Sequence, residues 1–412
     1  MSKNVSDKIR VGVFFGGRSV ELEVSVISGL QAFYALDREK YEPIPVYITK
    51  GGDLYTAGDI GEIEAYKDIK KLVSGATRVN LINENGSFYL IRYPEKAFTK
   101  SIIAELDVAL PVVHGTNVED GTLQGYLHFI GIPYAGCDVC PSALGMDKAA
   151  SKFVLKENGI PVLDCVCVNS KEYYSDSEKH ISIIEEKINY PMIVKPVNLG
   201  SSVGVSKAKD KETLITAIED AFSFASVVLV EKAVENLKEI NCAVLGDRYE
   251  AVASACEEPV NTDDILSYKD KYVSGGTKNG AKNSGAKISS GGAKSSSGMA
   301  NLKRKIPAEI SADIEQKVKE YSVAAFQALG CSGVTRIDYL YNTVTGELYL
   351  NELNTIPGSL SFYLWEASGM TFAELLDELI KLAFKKHREE GELNFSFDSN
   401  ILSGIKLSKG KA

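Results

Sequence analysis

Short apolar runs that end in glycine and give way to helically spaced apolar residues recur along the first third of the chain. The run 11–15 meets Gly16-Gly17, and Ser19 then precedes Val20, Val24, Ile27 and Tyr34. An apolar run of that length reads as a strand, and the spacing after it as a helix with one apolar face. A second run, 44–48, follows, so the chain opens as a parallel β-α-β unit. Residues 106–113 read as another strand, ending at His114-Gly115; Glu119-Asp120-Gly121 then leads into a helix with Leu123, Leu127 and Ile130. Asp147 is placed to cap a helix carrying Ala150, Phe153 and Val154 that stops at Gly159 and Pro161.

In the stretch 190–204, YPMIVKPVNLGSSVG, the period drops to two. Met192 and Val194 face one way, Ile193 and Lys195 the other, so Lys195 projects from a packed strand. Gly200, Ser201, Ser202 and Gly204 follow, and a tight loop of backbone N–H groups beside a fixed cation is a phosphate grip. A helix over 212–222 and the β-branched run 227–230 complete one compact unit. Boundaries near 136 and 232 divide the chain into an N-terminal α/β domain (1–135), a central unit (136–232), a C-terminal unit (233–390) and a tail (391–412).

The segment 333–358, GVTRIDYLYNTVTGELYLNELNTIPG, reads as two strands around a turn at 342–346. Centred on Thr345, the hairpin sets Asp338 opposite Glu352 and Arg336 opposite Asn354, all on one face with Leu348 and Leu350. Two carboxylates and an asparagine oxygen form a hard oxygen site suited to Mg²⁺, and Arg336 beside them suits charge on a transferring group. With Lys195 and its loop, this describes a nucleotide triphosphate held between two units, one supplying cations and N–H donors, the other the metal ligands.

Composition narrows the remaining classes. At 412 residues with 44% apolar content, the chain is long enough for two or three packed domains. A net charge of -9 disfavours nucleic acid as a general partner. The apolar run 11–15 is too short for a signal-peptide core and no stretch approaches a membrane span, so a cytosolic protein without a membrane partner is expected. Seven cysteines with a single C-x-x-C (Cys137, Cys140) and only 4 histidines argue for reduced thiols and against zinc. The segment 273–298 is almost wholly Gly, Ser, Ala, Asn, Thr and Lys, too poor in apolar residues to order itself. Lying inside the third unit, it suits a mobile lid, and its lysines suit either phosphates or solvent.

In this order the motifs resemble the D-alanine-D-alanine ligase family of ATP-grasp enzymes, from about Val11 to Leu379. The resemblance implies an α/β and α+β ATP-grasp fold: a Rossmann-like parallel-sheet domain first, then nucleotide between two α+β domains. FGGRSVELEVS implies that Glu21 holds the ammonium of the first amino acid, and HGTNVEDGTLQG places His114 near the acyl donor. SALGMDK and IVKP make Lys148 and Lys195 ligands of the ATP phosphates, with Ser202 in the phosphate loop. Ser201 is implied to link Glu21 to a lid tyrosine, which YKDKY identifies as Tyr272, with Lys271 on phosphate, in a lid over 268–298. Val230, Glu231, Lys232 and Val234 are implied at the adenine and Glu239 at the ribose. TRID and NELNTIPG carry over as the oxyanion groups Arg336 and Gly358 and the metal ligands Asp338, Glu352 and Asn354.

The implied cofactors are ATP and two Mg²⁺ ions, with Mn²⁺ as the alternative; the partners are amino-acid substrates and a second copy of the chain in a homodimer. The implied reaction activates one D-amino acid as an acyl phosphate and joins it to a second, as in peptidoglycan precursor synthesis. Val118 replaces the family's usual glycine before EDG, the lid carries a long insertion, and Phe362, Tyr363 and Leu364 replace a His-Ser-Leu type sequence. That serine holds the second amino acid's carboxylate, so Tyr363 and Leu364 leave D-alanine, D-serine, D-lactate or another amine open as acceptor. A nicotinamide dehydrogenase, the rival suggested by Gly16-Gly17, needs G-x-G-x-x-G and an acid after the second strand; the chain has GGRSVE and Thr49-Lys50. A homologue that kept the nucleotide and lost the chemistry would lack some of Lys148, Lys195, Arg336, Asp338, Glu352 or Asn354, and all are present.

Overall fold

The computed structural model describes residues 8–95, 99, 101–260 and 304–394. Lys271, Tyr272, the expected lid 268–298 and the tail from 395 lie outside the described residues. Three sheets follow one another along the chain. The first contains β1 (Ile9–Gly16), β2 (Tyr41–Ile48), β3 (Leu54–Thr56), β4 (Thr77–Glu84), β5 (Ser87–Arg92), β6 (Ile102–Leu106) and β7 (Val108–Pro111), in the order β6-β5-β4-β3-β2-β1-β7. Only the pairs of β1 with β2 and β7 are parallel; the remaining pairs are antiparallel. The sheet is therefore mixed, and the parallel pairs that the opening β-α-β pattern predicts lie at one edge of it.

The single strand expected over 106–113 is broken at Asp107. Its carboxylate accepts from Arg10 N at 2.7 Å and Arg10 Nη2 at 2.6 Å, and its own N–H donates to the Arg10 carbonyl. Those bonds end β6 and start β7 at the opposite edge. The first helix, Leu22–Ala35, begins after Glu21, whose N–H donates to Ser19 Oγ at 3.1 Å. Leu22, Val26 and Leu30 pack under it; of the face expected inward, Val24 is buried and Ile27 half-buried, whereas Val20 and Tyr34 at its two ends are exposed.

The second sheet holds β8 (Cys165–Asn169), β9 (Met192–Pro196), β10 (Ser206–Ala208) and β11 (Val227–Lys232), ordered β10-β9-β11-β8 and antiparallel. Met192 and Val194 enter its core while Ile193 and Lys195 face a cleft, as alternation requires. The helix Lys148–Glu157 is capped by Asp147, whose Oδ1 accepts from Ala149 N at 3.0 Å and Ala150 N at 2.9 Å. Its buried face is Lys148, Ser151, Lys152 and Leu155, and Phe153, expected inside, is 71% exposed.

The third sheet, β12 (Leu237–Gly246), β13 (Ala251–Pro259), β14 (Arg304–Lys305), β15 (Gly333–Asn342) and β16 (Leu348–Asn354), runs β14-β13-β12-β15-β16. The expected pairs Arg336 with Asn354 and Asp338 with Glu352 are present. Beyond them the register shifts, so Tyr339 pairs with Leu350 and Asn351 becomes the extra residue of a β-bulge. The bulge reverses the side on which the preceding residues lie. Leu348 and Leu350 pack with Ile337, Tyr339 and Leu353 in the core, not beside the acids as the unbroken register predicted. Helix Phe372–Gly391 returns to pack Leu375, Leu376, Leu379 and Ile380 into the core of the first sheet. Ile356, Leu360 and Leu364 from the C-terminal third share that core, which binds the third sheet to the first around the cleft. All seven cysteines are free thiols, as expected, with Cys140 and Cys167 exposed.

Candidate active site

Lysines form one wall of the cleft. Lys195 Nζ donates to Glu231 Oε1 at 2.5 Å and to Asn351 Oδ1 at 3.0 Å, so the bulge residue orients it. Lys152, which sequence reasoning missed, lies 2.9 Å from Glu231 Oε2 and donates to the Leu163 carbonyl at 3.1 Å. Burial alone would push the Glu231 carboxyl up, but the two lysines hold it below the usual range; burial pushes Lys152 down against the opposing pull of Glu231. Glu231 thus neutralises buried lysines. Lys232, Val234 and Glu239 line the same cleft, whereas Val230 packs into the central core.

Lys148 crosses to the other wall. Its Nζ donates to the Leu199 carbonyl at 2.6 Å and lies 3.2 Å from Glu352 Oε2. Glycine-serine loop and hairpin acids therefore meet at one ammonium. Arg336 makes a bidentate pair with Asp338 at 2.7 and 2.6 Å, and Asn354 Nδ2 donates to Asp338 Oδ2 at 3.2 Å. Burial opposes the Arg336 charge, and Asp338 overcomes it, holding the guanidinium protonated. Asn354 spends an amide N–H on Asp338, so its carbonyl oxygen is the end a cation would take, and with Asp338 and Glu352 the donor set fits a magnesium site.

Glu21 enters from the first helix. Ser201 Oγ donates to Glu21 Oε1, from a loop in which Ser201 and Ser202 both take left-handed φ values of 53° and 57°. A Cβ on Gly200 would stand 2.9 Å from Glu21 Oε2 and one on Gly115 2.7 Å from it, so two loops close on this carboxylate only because they lack side chains.

His114 lines the same cleft as Glu21, with both ring nitrogens engaged. Nδ1 is 2.9 Å from the Ile356 carbonyl, which can only accept, so Nδ1 carries the proton. Nε2 then accepts from Ser28 Oγ at 2.9 Å, which itself accepts from Ser359 N at 2.9 Å. Burial drives the imidazole down to about 4, so it is neutral and ties the first helix to the 356–359 turn. Glu119, also missed, accepts from Gly115 N at 2.9 Å and Ile356 N at 3.0 Å, and burial raises it to about 8. A buried acid between two loops has no local signature except its place in the EDG motif.

Gly358 lines the cleft and opens a turn in which Ser359, Leu360 and Ser361 all have left-handed φ, 51°, 52° and 49°. Tyr363 also lines it, but Leu364 is fully buried in the core and does not reach the cleft; helical phase turns successive residues to different sides. Lysines on one wall and carboxylates on the other of a single cleft, carried by the second and third sheets, are an ATP-grasp arrangement.

Comparisons with known proteins agree with that layout. The family model described as D-ala D-ala ligase N-terminus matches residues 10–137, and the D-ala D-ala ligase C-terminus matches 154–300 and 290–381. The D-alanine--D-alanine ligase of Thermosipho melanesiensis is 37% identical over 402 residues, 97% of this chain and 100% of that protein. That of Acetivibrio thermocellus is 38% identical over 402 residues, 93% of this chain and 98% of the relative. Among solved structures, the VanG D-Ala:D-Ser ligase of Enterococcus faecalis superposes with a TM-score of 0.72 at 31% identity, covering 91% of this chain and 99% of that one. The D-alanine-D-alanine ligase of Coxiella burnetii has the same TM-score of 0.72 at 26% identity, covering 93% and 96%. The chain belongs to the D-alanine–D-alanine ligase family. No helix among the described residues is long and apolar enough to cross a membrane.

Proposed function

We propose that the cleft uses ATP to join D-alanine to a second D-alanine through an enzyme-bound acyl phosphate, supplying a peptidoglycan precursor. The observation that carries this reading is Lys148, which touches Leu199 on the glycine-serine loop and Glu352 on the hairpin. A γ-phosphate bound there meets Lys148, Lys195 and the N–H groups near Ser202 on one side and the hairpin acids on the other. Lys232, Val234 and Glu239 hold the adenosine end, with Glu231 acting through Lys195 and Lys152. Glu21, fixed by Ser201, takes the ammonium of the first amino acid and turns its carboxylate toward the phosphate.

In the first step a carboxylate oxygen bonds to the γ-phosphorus as the bond to ADP breaks. In the second, the deprotonated amine of the acceptor attacks the acyl carbon and inorganic phosphate leaves. Arg336 and the Gly358 N–H face the oxygen that becomes negative in that step. Two Mg²⁺ ions, or Mn²⁺, held by Asp338, Glu352 and Asn354, would supply charge neutralisation on the transferring phosphoryl group. Neutral His114 sets the 356–359 turn in place and takes no proton itself, because both of its nitrogens are spent.

The expected protein is a cytosolic homodimer with units divided near 136 and 232, which sedimentation and limited proteolysis would test. Mass spectrometry of products from ATP, D-alanine and a panel of acceptors tests the activity: D-alanyl-D-alanine with one ADP per peptide bond is expected. ADP without any ligated product would refute it. D-serine as acceptor is the second reading, favoured by the likeness to the Enterococcus faecalis D-Ala:D-Ser ligase and by Tyr363 in place of the family's serine.

A further inference from the structure

One corner of the cleft is left over when the nucleotide, donor and metal residues are assigned. It is built from Glu257 on β13, Arg304 on β14, Asn241 on β12 and Tyr363. Glu257 is held from three directions: Oε1 accepts from Asn241 Nδ2 at 2.9 Å and Tyr363 Oη at 3.1 Å, and Oε2 from Arg304 Nη1 at 2.9 Å. The Arg304 guanidinium carbon stands 3.8 Å from the centroid of the Tyr363 ring, so the phenol both stacks on the cation and braces its counter-ion. The Arg304 side chain is only 11% exposed and that of Glu257 only 3%, so this is a built network rather than a surface pair.

Register places the corner relative to the reaction. Glu257 pairs with Asn241, Asn241 with Asp338 and Asp338 with Glu352, one row across four adjacent strands. Two strand spacings, about 10 Å, separate Glu257 from Asp338, room for one amino acid. We infer that this corner is the acceptor-carboxylate site: Arg304 takes the carboxylate of the second amino acid, while Glu257, Asn241 and Tyr363 position the guanidinium. The inference rests on the ligase reading and names the residue that replaces the family's serine. A serine would offer its hydroxyl to the ligand, but the Tyr363 hydroxyl proton is given to Glu257. Glu257 already takes three donors, so the charge presented to a ligand is the guanidinium, whose planar fork can serve two carboxylates at once.

The test uses the full chain at saturating ATP with three acceptors: D-alanine varied across its acceptor range, and D-alaninamide or hydroxylamine added at a fixed D-alanine concentration that fills the donor site. D-alaninamide lacks the carboxylate and cannot itself be activated as donor, and hydroxylamine traps the acyl phosphate without any acceptor carboxylate. Arg304→Met should raise the D-alanine acceptor KM roughly tenfold to a hundredfold, the range of a lost hydrogen bond to a charged group. It should leave the hydroxamate rate within about twofold and erase the preference for D-alanine over D-alaninamide, with Arg304→Lys recovering part of that preference. An unchanged D-alanine to D-alaninamide ratio in Arg304→Met overturns the inference. So does equal loss of hydroxamate formation in both variants, which would give Arg304 a structural or nucleotide role. Wild-type protein that forms no hydroxamate from ATP and D-alanine would instead remove the ligase reading, and the inference with it.

Discussion

Replacing Glu231 with glutamine tests how the lysine wall is held together. The carboxylate is 2.5 Å from Lys195 Nζ and 2.9 Å from Lys152 Nζ, and the three side chains are 2%, 6% and 5% exposed. Glu231→Gln keeps the shape and one acceptor oxygen but leaves two buried ammonium groups facing a neutral amide. Removing one partner of a buried ion pair costs about 3–5 kcal/mol, and the retained amide hydrogen bond puts this change near the lower end. At about 4–8 °C per kcal/mol for a unit the size of 136–232, the unfolding midpoint of that unit should fall by roughly 12–24 °C. The loss should shrink as pH rises. In the variant, Lys152 has a folded-state pKa depressed further below its unfolded value, so the unfolded chain binds more protons and stability climbs with pH. Lys152→Met added to Glu231→Gln removes one uncompensated charge and should restore part of the midpoint. Thermal unfolding of the wild type and the two variants between pH 7 and 10 measures all of this. Equal midpoints for wild type and Glu231→Gln, or a further fall on adding Lys152→Met, would show that the triad is not what holds these lysines.

Glu352→Ala should abolish acceptor-dependent ADP release, and chelation of divalent cations should do the same to the wild type, reversibly with Mg²⁺ or Mn²⁺; retained turnover in either case removes the metal assignment. Ser201→Ala withdraws the hydroxyl from Glu21 and should raise the donor KM about tenfold, the scale of one hydrogen bond to a charged group, with the ATP KM unchanged. The His114 pKa is lowered to about 4, so stability present above its unfolded value near 6.5 should be lost as pH falls through 4. Glu119, raised to about 8, has the opposite sign: its contribution is complete below its unfolded value and is lost as pH rises through 8, so Glu119→Gln should flatten the alkaline side of a midpoint-against-pH curve.

Much of the site was legible because it depends on short-range regularities. Alternation on one strand suffices to turn Lys195 away from the core that holds Met192 and Val194. An aspartate before a helix suffices to cap it at Asp147, whereas Asp338 meets Glu352 only through the bulge, since the turn-proximal pairs of Tyr339 with Leu350 and Tyr341 with Leu348 continued unbroken would set Asp338 against Asn351. Where local patterning failed, the buried groups were charged. Apolar spacing pointed Phe153 inward on the helix 148–157, but its inner face carries Lys148 and Lys152 because it lines a cleft stocked with carboxylates. The bulge at Asn351 sends Leu348 and Leu350 into the core and brings an amide to Lys195, a residue 156 positions away. Glu257 is joined to Arg304 and to Tyr363 through hydrogen bonds spanning 47 and 106 positions. Periodicity reports which side of an element avoids water; it carries no information about which distant charge makes burial of a lysine or an arginine tolerable. The chain alone therefore determined the strands and the loop. The partners of its buried cations were decided only when three sheets came together, because a charge leaves water only where the tertiary fold delivers its counter-charge.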